Sequence, residues 1–212
     1  MEDDIFESIS QRSDDAQDSE NKRILAIANE LHRRCKLYEE KLRDGKENGS
    51  WIDIEQCVVE QYAKESGLWL PFSDIFNLGV PGPSGNENDT YVSNDVIYKV
   101  NNLLNSGSIL KFLEKIVIHN YLFSDTPYTF FAFTGFDGRS IMPVLQQHLI
   151  KSAQPATQIM IDTYMAALGF EKTKEVGRFL NSQYEVWDLV PRNVLVDPEG
   201  DIYVIDAEIK KK

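Results

Sequence analysis

Apolar residues change their spacing along this chain. Between residues 20 and 43, Ile24, Ile27, Leu31, Cys35, Tyr38 and Leu42 recur at three- and four-residue steps. That spacing covers one face of a 3.6-residue helix and predicts a helix with an apolar stripe. Gly45 and Gly49 end it. Ser50-Trp51-Ile52-Asp53 sets a capping hydroxyl three residues before an acid, which predicts a second helix to about Glu65, with Gly67 beyond it. From residue 68 to about 149 the runs become strand-like, near 76–80, 90–93, 96–100, 129–134 and 140–145. Residues 109–119 keep helical spacing, with Leu110, Leu113, Val117 and Tyr121 on one side. Asp137-Gly138 is a hairpin signal between the last two of those strands. Pro155 is expected to open a further helix that stops at Gly169. Asp197-Pro198-Glu199-Gly200 turns a closing hairpin of two short apolar strands. The fold class expected from this order is α+β, with helices leading and a β-rich stretch following.

A chain of 212 residues holds one compact domain plus appendages. Hydrophobic residues make up 42%, with eleven Phe, nine Tyr and three Trp, enough to build a core. The net charge is −12, which argues against general nucleic-acid binding, since that needs a basic surface. The charge is uneven: residues 1–20 carry eight acids and one arginine, whereas 21–50 carry eight bases and five acids. Residues 1–18 are acidic without periodicity and are expected to form a disordered tail. No run of eighteen apolar residues predicts a membrane span, and no apolar leader is evident, so a cytoplasmic location with no membrane partner is expected. Cys35 and Cys57 fall in separate helical segments and are expected to be reduced, packed thiols.

The chemistry concentrates in Trp187-Asp188-Leu189-Val190-Pro191-Arg192-Asn193-Val194-Leu195-Val196-Asp197. Asp188 is followed five positions later by Asn193, and thirteen residues after that by Asp206, at the end of an apolar strand. Phosphotransferases of the protein-kinase type need this set of groups. One carboxylate orients or deprotonates the attacking hydroxyl, while an amide oxygen and a second carboxylate hold magnesium on the nucleotide phosphates. The same residues also suit an ordinary hairpin, because Asp and Asn are common at turns. Lys99 lies inside the apolar run Val96-Ile97-Tyr98-Lys99-Val100, where a lysine is unusual. The glycines of the preceding loop, Gly79, Gly82 and Gly85, would let backbone N–H groups approach phosphate oxygens, although prolines interrupt the loop. Glu114 is the only glutamate between Lys99 and Tyr128, and so is either the partner of that lysine or a solvated helix charge.

From about residue 68 to 210 the chain resembles the compact protein-kinase-like domain of polyvalent proteins from phages and conjugative elements. The likeness rests on Gly85-Asn86-Glu87-Asn88, the Lys99 strand, the Asp188 to Val196 run and Val204-Ile205-Asp206-Ala207-Glu208. The Asp188 run is also similar to that of aminoglycoside phosphotransferases. The resemblance implies a minimal protein-kinase-like fold. A helical extension (19–66) would precede a β-rich small lobe (67–149) and a truncated large lobe (150–212) with the catalytic loop and metal hairpin. It implies ATP and magnesium as cofactors, with an unknown protein or small molecule as phosphoacceptor. Lys99 would contact the nucleotide phosphates with Glu114 as its anchor, and Gly85 and Asn86 would lie on the nucleotide. Gln146 and Gln147 would sit at the hinge beside the adenine. Asp188 would be the catalytic base, and Asn193 and Asp206 the magnesium ligands.

The chain departs from protein kinases at several points. Val186-Trp187 stand where His-Arg precede the catalytic aspartate, and Ala207-Glu208 where Phe-Gly follow the metal aspartate. Only four residues follow Glu208, so no activation segment or peptide-binding helices are expected. Two functions are therefore open: an ATP/magnesium phosphotransferase, or a catalytically weak nucleotide-binding or interaction module of a mobile element or host-targeting system.

Overall fold

The structure is a computed structural model that describes residues 15–45, 49–136 and 139–212. Most of the expected tail, and the Asp137-Gly138 turn, lie outside the described residues. The chain forms two compact units. One runs up to Val117 and takes in Tyr128–His148; the other comprises Ile118–Pro127 and Leu149–Lys212.

The first unit begins with helix α1 (Asp15–Asp44) and helix α2 (Trp51–Glu65). The apolar stripe of α1 is buried, with Ile24, Leu31 and Cys35 fully out of solvent. Each such side chain contributes about 1.5–3 kcal/mol of transfer free energy, which a lone amphipathic helix in water would lack. Ser50 caps α2 as expected: its Oγ accepts from the Asp53 N–H at 3.2 Å. The helix starts within the stretch expected to be tail, at Asp15.

A five-stranded antiparallel sheet follows. Its strands are β1 (Val80–Pro81), β2 (Asn88–Ser93), β3 (Val96–Asn101), β4 (Thr129–Phe136) and β5 (Arg139–His148), ordered β1-β2-β3-β5-β4. The strand expected over 76–80 is not there. Phe72–Asn77 forms a 3₁₀ turn instead, which buries Ile75, and only Val80–Pro81 pair with β2. The apolar residues of that segment serve a satellite core of Ile75, Tyr91, Val100, Ala132 and Val144 on one sheet face. Short apolar runs do not distinguish the two outcomes by period.

The edge strand β4 is covered by the N-terminal helices and their linker. Phe130 donates its N–H to Glu20 at 2.9 Å and accepts from Arg23 at 2.9 Å. Leu68 and Leu70 exchange backbone bonds with Phe133, each 2.8 Å. An edge satisfied in this way cannot template further strands. Helix α3 (Ile109–Leu122) buries Phe112, Leu113, Ile116 and Val117. Its N-terminus is capped from α2: the fully buried Glu55 carboxylate accepts from Ser108 Oγ (2.8 Å), Ile109 N–H (2.9 Å) and Leu110 N–H (3.1 Å). A carboxylate there satisfies orphan donors and matches the helix dipole.

The second unit holds helix α4 (Gln158–Ala167) and seven short strands. Three of these, β6 (Gln154–Pro155), β10 (Val194–Val196) and β11 (Ile202–Val204), form one sheet. Four more, β7 (Glu171–Lys172), β8 (Phe179–Leu180), β9 (Tyr184–Trp187) and β12 (Glu208–Lys211), form the other, ordered β12-β9-β8-β7. Pro155 does not open the helix. It pairs with Leu195 on the edge of the first sheet, where its missing N–H costs no ladder bond, and Thr157 caps α4 instead. The core contains Phe123, Ile161, Met165, Phe179, Val186, Leu189 and Val194.

Candidate functional site

In the first unit the glycine loop is the tip of the β1–β2 hairpin. Gly82 N–H donates to Thr90 O at 2.9 Å and Gly85 N–H to Asn88 O at 3.0 Å. A Cβ on Gly82 would lie 2.7 Å from Thr90 Oγ1, so packing alone requires that glycine. Gly85 is different: a Cβ there would meet nothing within 4 Å, and Gly85 and Asn86 are both exposed. Asn86 is held by its carbonyl, which accepts from Asn102 Nδ2 at 2.7 Å.

Lys99 lies in β3 opposite Thr90 of β2 and Leu145 of β5. The ladder turns its side chain to the face away from the satellite core, and it is 7% exposed. A buried ammonium must be compensated. Here Nζ donates to Tyr128 Oη at 3.1 Å and lies 4.9 Å from that ring's centroid.

Glu114 does not hold this lysine. It is exposed on α3 and, among the described residues, forms no ion pair. The phase of α3 explains this. Phe112, Leu113, Lys115 and Ile116 are buried while Lys111 and Glu114 face water. The charged side chain that α3 turns inward is Lys115, 3.9 Å from the Glu87 carboxylate. Gln146 and Gln147 are separated by register. Gln147, opposite Ile97, shares the face of Lys99 and is buried; Gln146, opposite Tyr98, is on the other face and half-buried.

In the second unit Asp188 and Asn193 are brought together. Asp188 follows β9 with φ +60°, in the left-handed region that Asp tolerates better than most residues. Asn193 Nδ2 donates to Asp188 Oδ2 and to the Asp188 carbonyl, both at 2.8 Å. Arg192 Nη2 donates to Oδ1. Asn193 N–H closes the turn onto Val190 O at 2.8 Å, and its carbonyl accepts from Ile205 N–H at 3.0 Å and Asp206 N–H at 3.3 Å. The β10–β11 pairing, Val194 opposite Val204, thus fixes Asp206 to the backbone of Asn193. At the far end of that hairpin burial opposes ionisation of Asp197, but the Asp201 N–H and Tyr203 hydroxyl hold its carboxyl below the usual range.

Gly177 was not singled out from the sequence, yet it sets this turn. It has φ +74°, its carbonyl accepts from Leu189 N–H at 3.0 Å, and a Cβ would lie 2.8 Å from Leu189 O. Set between Val176 and Arg178, it reads as a plain loop glycine. Next to it, Arg178 pairs with Glu175 and Glu185, and Lys210 reaches Glu185 at 2.7 Å. The Lys210 and Arg178 cations hold the Glu185 carboxyl below its ordinary value. They also flank the Trp187 ring at 5.8 and 5.9 Å.

The donor set of the second unit suits a hard cation on phosphate. With Nδ2 committed to Asp188, Asn193 has its amide oxygen left to offer, and Asp206 is half-buried with no ion pair among the described residues. Among those residues no cluster of three or more His, Cys, Asp or Glu side chains is arranged to hold a metal. Two oxygen donors fit magnesium, which keeps several waters and shares phosphate oxygens, better than they fit calcium or zinc.

The first unit thus carries a hairpin glycine loop and a buried strand lysine, and the second an Asp-x₄-Asn turn tied to a second aspartate. A family model for serine/threonine/tyrosine kinases found in polyvalent proteins matches residues 53–212. The chain belongs to that family, and is a kinase-like phosphotransferase at that level. No curated protein matches the chain. No helix among the described residues is long and apolar enough to cross a membrane.

Proposed function

We propose that this chain transfers the γ-phosphoryl group of ATP, with magnesium, to a hydroxyl acceptor. The observation that carries the reading is the Asp188–Asn193–Asp206 arrangement in a chain of the kinase family. The Asp188 carboxylate would orient the acceptor hydroxyl and take its proton as the acceptor oxygen bonds to the γ-phosphorus. The bond from that phosphorus to the bridging oxygen would break, and ADP would leave. Arg192, which is exposed, would release Oδ1 for that contact. Asn193 and Asp206 would hold magnesium, which when bound neutralises phosphate charge. Lys99 would donate to phosphate oxygens, and the Gly85 and Asn86 segment would cover them. Gln147 and the backbone of Gln146 would flank the base. Positioning and charge supply most of the rate in phosphoryl transfer, so a short second unit suffices.

We further propose that residues 67–149 act as the small lobe and 150–212 as a shortened large lobe, with 19–66 an extension, in a cytoplasmic protein of a mobile genetic element. The acceptor is a protein or a small molecule, with nucleic acid disfavoured by the net charge of −12. A second reading, a weakly catalytic nucleotide-binding module, draws on two observations. Glu114 is not at Lys99, and Arg192 engages Asp188.

Calorimetry of ATP with and without magnesium tests the proposal. Affinity should rise with magnesium in the native chain, and Asp206→Asn should abolish the gain. Equal affinities in the native chain would remove the metal role. Binding of Mg-ATP with no autophosphorylation, hydrolysis or transfer would favour the module.

A further inference from the structure

Lys99 keeps a defined direction although the carboxylate expected beside it faces water. Its Nζ donates to Tyr128 Oη at 3.1 Å, and both side chains are buried, 7% and 4% exposed. The contact is built into the sheet. Lys99 pairs with Leu145, Leu145 pairs with Phe130, and Tyr128 precedes Phe130 by two residues. The backbone of Phe130 is in turn fixed by Glu20 and Arg23 of α1, a helix that lies outside the residues matched by the family.

We propose that Tyr128 is the positioning residue that aims Lys99 at the nucleotide phosphates. The proposal rests on the reading of Lys99 as the phosphate-contacting lysine. A phenol oxygen accepts from the ammonium without cancelling its charge, so this contact directs the lysine and leaves its charge in place. A glutamate in that place would have neutralised part of it. The contact orients the strand lysine from the entry to β4, whereas Glu114 of α3 faces water. Helix α1 reinforces this by holding the β4 backbone two residues away.

The test is a double-mutant cycle in the full chain. Dissociation constants for Mg-ATP and for adenosine are measured in the native protein, Tyr128→Phe, Lys99→Met and the pair. Loss of a hydrogen bond to a charged group should weaken Mg-ATP binding roughly tenfold in Tyr128→Phe. Adenosine affinity should stay unchanged, and Tyr128→Phe should add nothing in the Lys99→Met background. A merely structural role would weaken both ligands, or weaken Mg-ATP equally in both backgrounds, and either result overturns the proposal. Unchanged Mg-ATP affinity in Tyr128→Phe also overturns it. If native protein binds Mg-ATP but Lys99→Met does not matter, the assignment of Lys99 fails and the proposal with it. A native chain that binds no ATP instead removes the nucleotide reading itself. Should Tyr128→Phe fail to fold, NMR of the native protein decides. Cross-relaxation between the Lys99 ε-methylene and the Tyr128 ring protons supports the proposal, and its absence overturns it.

Discussion

Lys99 and Asp188 are held by different kinds of structure. Lys99 lies inside a ladder of six-, ten- and eight-residue strands, paired on both sides and nearly buried. Asp188 sits in a left-handed turn after a four-residue strand, with its side chain 39% exposed and held by Asn193 and Arg192. A ladder sets side-chain direction by register, and many bonds share the load. A turn depends on a few contacts. Each solution matches its proposed chemistry. A lysine that must wait for phosphate can be buried if its ammonium is satisfied. A carboxylate that must meet an acceptor has to remain reachable. The sensitivities of the two regions should differ accordingly.

The largest effect is expected at Asp188. Asp188→Asn keeps the shape and removes the charge, so turnover should fall roughly 10²–10⁴-fold while ATP affinity barely changes. Steady-state kinetics alongside calorimetry read both, and unchanged turnover would reduce the Asp188 turn to plain architecture. Next comes Gly177→Val. It forces a β-branched residue to φ +74° and drives Cβ toward Leu189 O. A destabilisation of about 1–3 kcal/mol by urea unfolding is expected. A neutral result would mean that the turn does not depend on Gly177.

Acid should act on the second unit through Glu185. Its folded pKa is depressed by Lys210 and Arg178. Such a group contributes stability above its unfolded pKa, about 4.3, and loses it as pH falls through the lower folded value. Melting temperature should therefore drop on acidification below that range, and Glu185→Gln should shallow the drop. An identical acid limb in both proteins would show that the pair is too solvated to matter. The smallest effect belongs to Glu114→Gln, which should leave stability within about 0.5 kcal/mol and ATP affinity unchanged. A loss of affinity there comparable to that of Lys99→Met would restore Glu114 as the anchor.

Cysteine chemistry separates along the same line of burial. Cys35 is fully buried, and burial pushes its thiol up to about 12, with Glu55 adding to the shift. Cys57 is exposed rather than packed, with Sγ 3.9 Å from Tyr38 Oη. Packing of α1 against α2, not the sequence around each cysteine, makes that distinction.

The features legible in the sequence were local. The stripe of α1, the Ser50 cap, the Lys99 strand and the Asp188-to-Asn193 spacing all depend on contacts a few residues apart, so short-range pattern suffices to read them. The α+β class followed from their order, and the kinase-like reading from the resemblance those motifs carry. Four other features needed the tertiary structure: the outward phase of Glu114, the opposite faces of Gln146 and Gln147, the Lys99–Tyr128 contact across 29 residues and the Gly177–Leu189 bond. Helix phase follows whichever face buries more apolar surface, and strand register follows distant partners. Both are collective outcomes of packing, so a glutamate at a plausible distance along the chain can still face water while a tyrosine no motif marks reaches the lysine.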